Sequence, residues 1–340
     1  MWNWIVVVMV TGAGILATGC SDDVYPNLGG SATSHATSSS ARSVSSEVSS
    51  SFSAASAGAI VRVAFFNAED FNSDSVAGTG TWGTVADIVA TNSIDIIVLS
   101  ETEPYDAPRF SQALAARGVS MTWRMTTSNT SDPNEDYLLK DEISVWSRFT
   151  ITGFDQVARG YYPDPLTGNI VSAPRYVLRT SIAVGGKSLW VYGAHLKAVT
   201  GITNEQRRRA QAHALEEYIK SNHAEENDWI VVSGDMNTIT PSIEFIDAGT
   251  IGYLTMKSDN PGNTANDFTA VNLTHLPLPD GYTWRSSSWP SGFADAILDH
   301  VILSPALYAR YVPGSVRILM KGVSPRISDH YPVMLDVSLD

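Results

Sequence analysis

Cysteine is almost missing from this 340-residue chain, which carries one, Cys20. One thiol excludes an intramolecular disulfide framework and any zinc site built on cysteine pairs, so a bound metal would have to be held by oxygen and imidazole. Positive charge is also scarce, with 22 Lys and Arg against 35 Asp and Glu and a net charge of -13. A chain so acidic is poorly suited to coating nucleic acid, which needs a surplus of cations facing the phosphates. It does not exclude an enzyme that cuts phosphodiesters. No Walker-type phosphate loop, His-Glu-x-x-His or Gly-x-Ser-x-Gly occurs, which removes support for nucleotide-driven work, zinc peptidases and the common serine hydrolases.

Long hydrophobic runs are lacking too, apart from a short apolar stretch at 5–16. It falls below the roughly 20 residues that a membrane-spanning helix needs, and reads as a secretory signal with small residues at its end. Leu16-Ala17-Thr18-Gly19-Cys20 resembles a bacterial lipobox, in which the cysteine is lipidated and becomes the mature N-terminus. Residues 1–20 are therefore expected to be a signal peptide and lipobox, and the protein an exported envelope lipoprotein anchored at Cys20. Residues 31–58 contain 13 serines, too little apolar surface to offset ordering entropy, so 21–58 is expected to be a flexible tether. Without residues 1–58 the body keeps 21 basic and 32 acidic residues, and 59–340 reads as one domain.

In that body, β-branched runs at 60–66, 95–100, 143–147, 177–184, 188–194, 229–233, 300–304 and 332–338 predict strands. Patterns at 85–91, 104–117 and 204–221 predict helices. Some strands are separated by helices and others lie within hairpin distance, as across Gly185-Gly186. This mixture indicates an α/β fold with mixed sheets.

The polar residues fall at the strand ends. Asn67, Glu69, Glu101, His195, Asp235, Asn237, Asp299, Asp329 and His330 all close or follow apolar runs, the positions where ligands bind in open α/β sheets. Carboxylate and amide oxygens with imidazoles and no thiolate suit Mg²⁺ or Mn²⁺, and metal-assisted phosphoryl hydrolysis is the chemistry such a set supports. An Asx turn after a strand would by itself account for Asp235 and Asn237. Six such ends in one chain point instead to a convergent site.

The order Asn67, Glu101, His195, Asp235-x-Asn237, Asp299, Ser328-Asp329-His330 resembles the endonuclease/exonuclease/phosphatase superfamily over about residues 60–338. Its most specific pieces are Gly-Asp-Met-Asn at 234–237 and Ser-Asp-His-Tyr-Pro-Val at 328–333. The resemblance implies a four-layer α/β sandwich, two mixed β-sheets face to face with helices outside. It implies metal ligation by Glu101 with Asn67, Glu69 and Asp329, and activation of water by Asp235. Asn237 and His195 would hold the phosphate, and Asp299 would orient His330. Arg175, Lys197 and Trp284 would contact substrate, although a surface arginine and a core tryptophan are ordinary alternatives. The histidine at 195 favours the deoxyribonuclease, sphingomyelinase and phosphatase branches over DNA-repair endonucleases. The expected activity is Mg²⁺-dependent phosphodiester hydrolysis, with nucleic acid as the first substrate and phospholipid head groups or phosphorylated small molecules as the alternative. A non-catalytic binding lipoprotein is a third reading.

Three further expectations concern neighbouring segments. Stretches 126–140 and 155–173 are expected to be substrate-selecting rim loops. Arg207-Arg208-Arg209, flanked by Glu205, Glu216 and Glu217, is expected to be a solvated, charge-paired helix face. His300, next to Asp299, should point to the opposite side of its strand. The lipobox reading predicts that Cys20→Ser moves the protein from the membrane pellet to the soluble fraction; a substituted protein that still sediments with membranes refutes the anchor.

Overall fold

Alternation of side chains sets the architecture. Along the first strand, Val61, Val63 and Phe65 face one way and Ala64 and Phe66 the other, yet all five are buried, so both faces of the strand are covered. A computed structural model describes residues 59–68, 81–104, 106–127, 142–238, 244–257, 264–271, 282–284, 295–319 and 328–340. Glu69, Cys20, the Ser-rich segment, His275 and most of 126–140 lie outside the described residues. Among the described residues, no helix is long and apolar enough to cross a membrane.

The strands are β1 (Ile60–Asn67), β2 (Ile96–Thr102), β3 (Thr122–Met125), β4 (Glu142–Ser147), β5 (Ile151–Val157), β6 (Gly160–Pro163), β7 (Ile170–Ala173), β8 (Val177–Val184), β9 (Lys187–His195), β10 (Trp229–Asp235), β11 (Thr269–Ala270), β12 (Asp299–Leu303), β13 (Arg317–Ile318) and β14 (Val333–Ser338). The helices are α1 (Thr81–Thr91), α2 (Ala107–Ala115), α3 (Ile202–Asn222), α4 (Thr250–Leu254) and α5 (Pro305–Tyr308). All eight expected strands and three expected helices are present, with shifted ends.

Two six-stranded sheets carry the fold, in the orders β13-β14-β1-β2-β4-β3 and β11-β12-β10-β9-β8-β5. Each has one parallel pair, β1 with β2 and β9 with β10, and every other pairing is antiparallel. The two halves thus repeat one strand pattern that left no visible repeat in the sequence.

Three apolar clusters define the layers. Val63, Phe65, Val98 and Val145 of the first sheet meet Leu178, Val191, Val231 and Val301 of the second between the sheets. Ala64, Phe66, Ile97 and Leu99 on the outer face of the first sheet pack on Val85 and Val89 of α1 and Phe110 and Leu114 of α2. Tyr192, Ala194, Ile230 and Val232 on the outer face of the second pack on Ala212, Leu215 and Ile219 of α3 and Leu254 of α4. The result is the expected α/β sandwich, two mixed sheets with helices.

Two expectations need correction. Stretch 155–173 is not a loop: after the end of β5 it forms the antiparallel hairpin β6–β7, with Tyr161 opposite Ser172 and Pro163 opposite Ile170. Nor is the arginine cluster a solvated face. Arg208 is wholly buried against Glu244, and Arg209 is buried against Asp164 at 2.6 and 2.8 Å. Only Arg207 stays half-buried, donating to Asn204 at 3.3 Å. The partners lie 36 and 45 residues away, so a reading of local charge spacing pairs these arginines wrongly.

The sheets approach closely at Gly193 of β9. A Cβ there would meet Ile143 Cγ2 at 2.6 Å and Val98 Cγ1 at 2.8 Å on the facing sheet. Overpacking at such a contact costs about 1–3 kcal/mol. Gly193→Ala is therefore expected to lower unfolding stability by that amount in urea titration; an unchanged midpoint would show that the sheets yield at this point.

Candidate functional site

The strand alternation that fills the core also delivers the site. On β9, Leu189 and Val191 point between the sheets, and two further steps of two place His195 on the same face. The same parity carries Val61, Val63 and Phe65 to Asn67 on β1, and Trp229 and Val231 to Asp235 on β10. On the antiparallel β12, Val301 and Leu303 share a face with Asp299. Register holds these ends level, with Asp235 paired to both His195 and Asp299.

Glu101 breaks the rule. Alternation along β2 would turn it toward the helices, but it has a φ of 57° and sits where the register with β4 shifts between Leu99 and Thr102. This irregularity brings its carboxylate to the inner face, a use of a bulge to re-aim one side chain. Asn237, the other site residue with positive φ, lies in the turn after β10 at 48°.

Asn67 is at the centre. Its Nδ2 donates to Glu101 Oε1 at 2.9 Å and to Asp235 Oδ2 at 3.0 Å, and lies 3.4 Å from His330 Nε2. His195 Nε2 stands 3.7 Å from Asp235 Oδ2 and 3.9 Å from Glu101 Oε1. The backbone N–H of Asn237 donates to Asp235 Oδ1 at 2.9 Å, and its Nδ2 donates to the Leu196 carbonyl at 3.1 Å. His330 Nδ1 faces both oxygens of Asp299 at 3.0 and 2.8 Å, while its Nε2 looks toward Asp235 Oδ2 at 3.6 Å and Asp329 Oδ1 at 3.7 Å.

Burial makes these charges interact strongly. Desolvation alone would depress His330, but the Asp299 and Asp235 charges outweigh it and hold the imidazole up at about 10. Burial pushes the Asp235 carboxyl up to about 7 against the opposing pull of His330, and burial likewise raises Asp299. His195 is held well below the usual imidazole range by burial and by the charges of Arg175, His330 and Lys197. One imidazole is thus kept protonated beside another kept neutral, a division that suits proton delivery next to neutral hydrogen bonding.

The remaining expected residues are distributed as follows. Trp284 Nε1 donates to Asp329 Oδ2 at 2.8 Å, so the indole edge fixes an acid. Arg175 donates to the Leu196 carbonyl at 2.8 Å. Lys197 is half-buried, and its carbonyl accepts from Arg208 at 2.8 Å. His300 does lie on the opposite face, where Thr238 Oγ1 is 2.9 Å from its Nε2 and burial lowers its pKa to about 3. Two supports add to these: the sequence places Ser328 in a motif without giving it a role, and it does not single out Thr283. Ser328 Oγ donates to the Asn67 carbonyl at 2.8 Å and accepts from the His330 N–H at 3.0 Å, and Thr283 Oγ1 accepts from the N–H groups of Leu298 and Asp299 at 3.0 Å. A hydroxyl bonding to backbone across 261 residues has no local signature.

Asp235, Asp299 and His330 each place a ligand atom within 4.8 Å of the others, so this buried trio could hold a metal ion. Using it so would require His330 or Asp299 to give up their mutual contact. Glu101, 24% exposed, is the most accessible acid of the cluster.

A sequence model described as the Endonuclease/Exonuclease/phosphatase family matches residues 70–330. No curated protein matches the chain in sequence. Among solved structures, the chain is similar to D. rerio TDP2 complexed with single-strand DNA product (TM-score 0.57, 15% identity, 82% of this chain and 98% of that one). It is similar to an endonuclease/exonuclease/phosphatase from Beutenbergia cavernae (TM-score 0.55, 18% identity, 82% and 71%). A third is a variant of the 3′ phosphatase NExo from Neisseria bound to product DNA hairpin (TM-score 0.52, 17% identity, 82% and 99%). At these identities the likeness is one of fold.

The electrostatics predict a measurable titration. An imidazole raised in the fold stabilises it fully below its unfolded pKa near 6.5, and that contribution is lost as pH rises through about 10. In the metal-free protein, ¹⁵N NMR should find His330 still protonated at pH 8, and Asp299→Asn should bring its titration down toward 6.5 while flattening the loss of stability above pH 7. A His330 that titrates near 6.5 in the unsubstituted protein would refute this account.

Proposed function

Because the chain belongs to the endonuclease/exonuclease/phosphatase family and is a hydrolase of phosphoester bonds, we propose that it is a Mg²⁺- or Mn²⁺-dependent phosphodiesterase that cuts nucleic acid outside the cytoplasm, held to the envelope through Cys20. The observation that carries this reading is the convergence of Asn67, Glu101, His195, Asp235, Asp299 and His330, from both sheets, on one end of the sandwich. The DNA products held by two structurally similar proteins favour nucleic acid as substrate.

The donor set fits a hard divalent cation. Glu101, Asp235, Asp299 and Asp329 share the site with one imidazolium, an excess of negative charge on oxygen with no thiolate. Glu101, Asn67 and Asp329 would hold the ion. Such an ion supplies polarisation of a phosphoryl oxygen and stabilisation of the leaving oxygen.

The chain's own residues do the rest. Asp235 has Oδ1 fixed by the Asn237 N–H, and its Oδ2 accepts the proton of the attacking water. His330, kept protonated by Asp299, donates from Nε2 to a phosphoryl oxygen, where charge develops. Neutral His195 donates a hydrogen bond to the phosphate, as does the second amide hydrogen of Asn237. Trp284 keeps Asp329 in place, and Arg175 and Lys197 meet the flanking phosphates.

Asp235→Asn and His330→Ala should each lower kcat by about 10²–10⁴-fold, with circular dichroism and thermal midpoint showing a folded domain. The assay is chelator-sensitive nicking of plasmid DNA with Mg²⁺ or Mn²⁺, run beside sphingomyelin. Phosphocholine release without DNA cleavage would move the assignment to a lipid substrate. Silence on both would favour a surface binding protein.

A further inference from the structure

Beside Arg175 lies an open cleft of about 240 Å³, walled by Arg159, Tyr161, Ser172, Pro174 and Tyr176. Arg175 sits in the chain between two of these walls, Pro174 and Tyr176. It reaches to the Leu196 carbonyl, the same oxygen that accepts from Asn237. Arg175, the chain neighbour of two cleft walls, and Asn237 of the proposed phosphate site therefore meet at one backbone carbonyl.

The cleft is cationic and aromatic in a chain of net charge -13. The Arg159 guanidinium lies 4.8 Å over the Tyr176 ring and donates to its hydroxyl at 3.1 Å. Tyr161, on β6, is 59% exposed and stands opposite Ser172 on β7. The supporting hairpin is anchored: Arg209 of α3 grips Asp164 through two nitrogens, and the Tyr162 hydroxyl donates to the Arg159 carbonyl at 2.9 Å. Gln211 of α3 donates to the carbonyls of Ala158 and Arg175 at 3.2 and 2.8 Å, fixing both chain segments that border the cleft. An exposed aromatic ring on an anchored hairpin beside the fixed Arg159 guanidinium is a preorganised surface.

We propose that this cleft is a nucleobase subsite for single-stranded nucleic acid: a base next to the scissile phosphate stacks on Tyr161, and the adjoining phosphate is met by Arg159 and Arg175. The inference rests on the phosphodiesterase reading above and narrows its substrate class. Stacking on an aromatic face beside cationic side chains is how single strands are held without reading sequence. The volume lies below the roughly 300–1,000 Å³ of drug-sized pockets, which suits one ring system. A choline head group fits poorly, because Arg159 already occupies the Tyr176 face that a quaternary ammonium would need and repels its charge.

The test uses a short fluorescein-labelled oligothymidylate and the full chain. Anisotropy in EDTA reads binding, and hydrolysis with Mg²⁺ is compared between the oligonucleotide and bis(p-nitrophenyl) phosphate. Tyr161→Ala and Arg159→Ala should each weaken oligonucleotide binding about tenfold and lower oligonucleotide hydrolysis by a similar factor relative to the small diester, whereas Tyr161→Phe, which keeps the stacking face, should retain binding. Absent binding, binding unchanged in Tyr161→Ala, or equal losses on both substrates would overturn the subsite. Binding that falls as expected without any DNA cleavage would overturn the catalytic reading and leave the subsite standing.

Discussion

One carboxamide nitrogen holds the site together. Asn67, at the end of a strand in the first sheet, donates both amide hydrogens, one to Glu101 of its own sheet and one to Asp235 of the facing sheet. Two buried or half-buried acids that would otherwise repel are thereby kept close, at an orientation set by a strand whose other side chains are locked in the core. Ser328 holds the Asn67 carbonyl from behind and passes the constraint to the His330 backbone. The sandwich and the site are thus one construction: the inner-face alternation that packs Phe65 and Val231 ends in Asn67 and Asp235.

Charge in the site is set by the same burial. Desolvation raises Asp235 and Asp299, and the same desolvation would neutralise His330 were it not for those two acids. A buried histidine with one carboxylate on Nδ1 and another near Nε2 has its tautomer, orientation and charge fixed together. His195 is kept neutral by burial and by the positive charges of Arg175, His330 and Lys197. The two imidazoles differ because the charges that dominate their surroundings differ in sign.

Polar contacts also run outward from the site through α3. That helix presents Arg208, Arg209 and Gln211 inward, where each has a distant acceptor: Glu244, Asp164 and the carbonyls of Ala158 and Arg175. Removing a single partner from a buried ion pair of this kind costs about 3–5 kcal/mol. The arrangement therefore ties the β6–β7 hairpin and the Arg175 backbone to the same helix.

By itself the sequence determined the eight principal strands, the three long helices and the family motifs, because periodic burial and strand-end polar residues are written locally. It also placed His300 on the outer face by alternation alone. Tertiary structure decided the rest. Glu101 faces inward only through a register break and a left-handed backbone, and alternation along β2 points it the other way. Arg208 and Arg209 looked like a surface cluster because nearby glutamates offered partners, whereas burial selected partners far along the chain. The stretch 155–173 was expected as a rim loop from the family resemblance, whereas it forms a hairpin whose Asp164 is held by Arg209 of α3. The physical reason is range. Alternation and propensity act over a few residues, while the bonds that aim a side chain into the site, such as Asn67 to Asp235 across 168 residues, exist only once the two sheets have met.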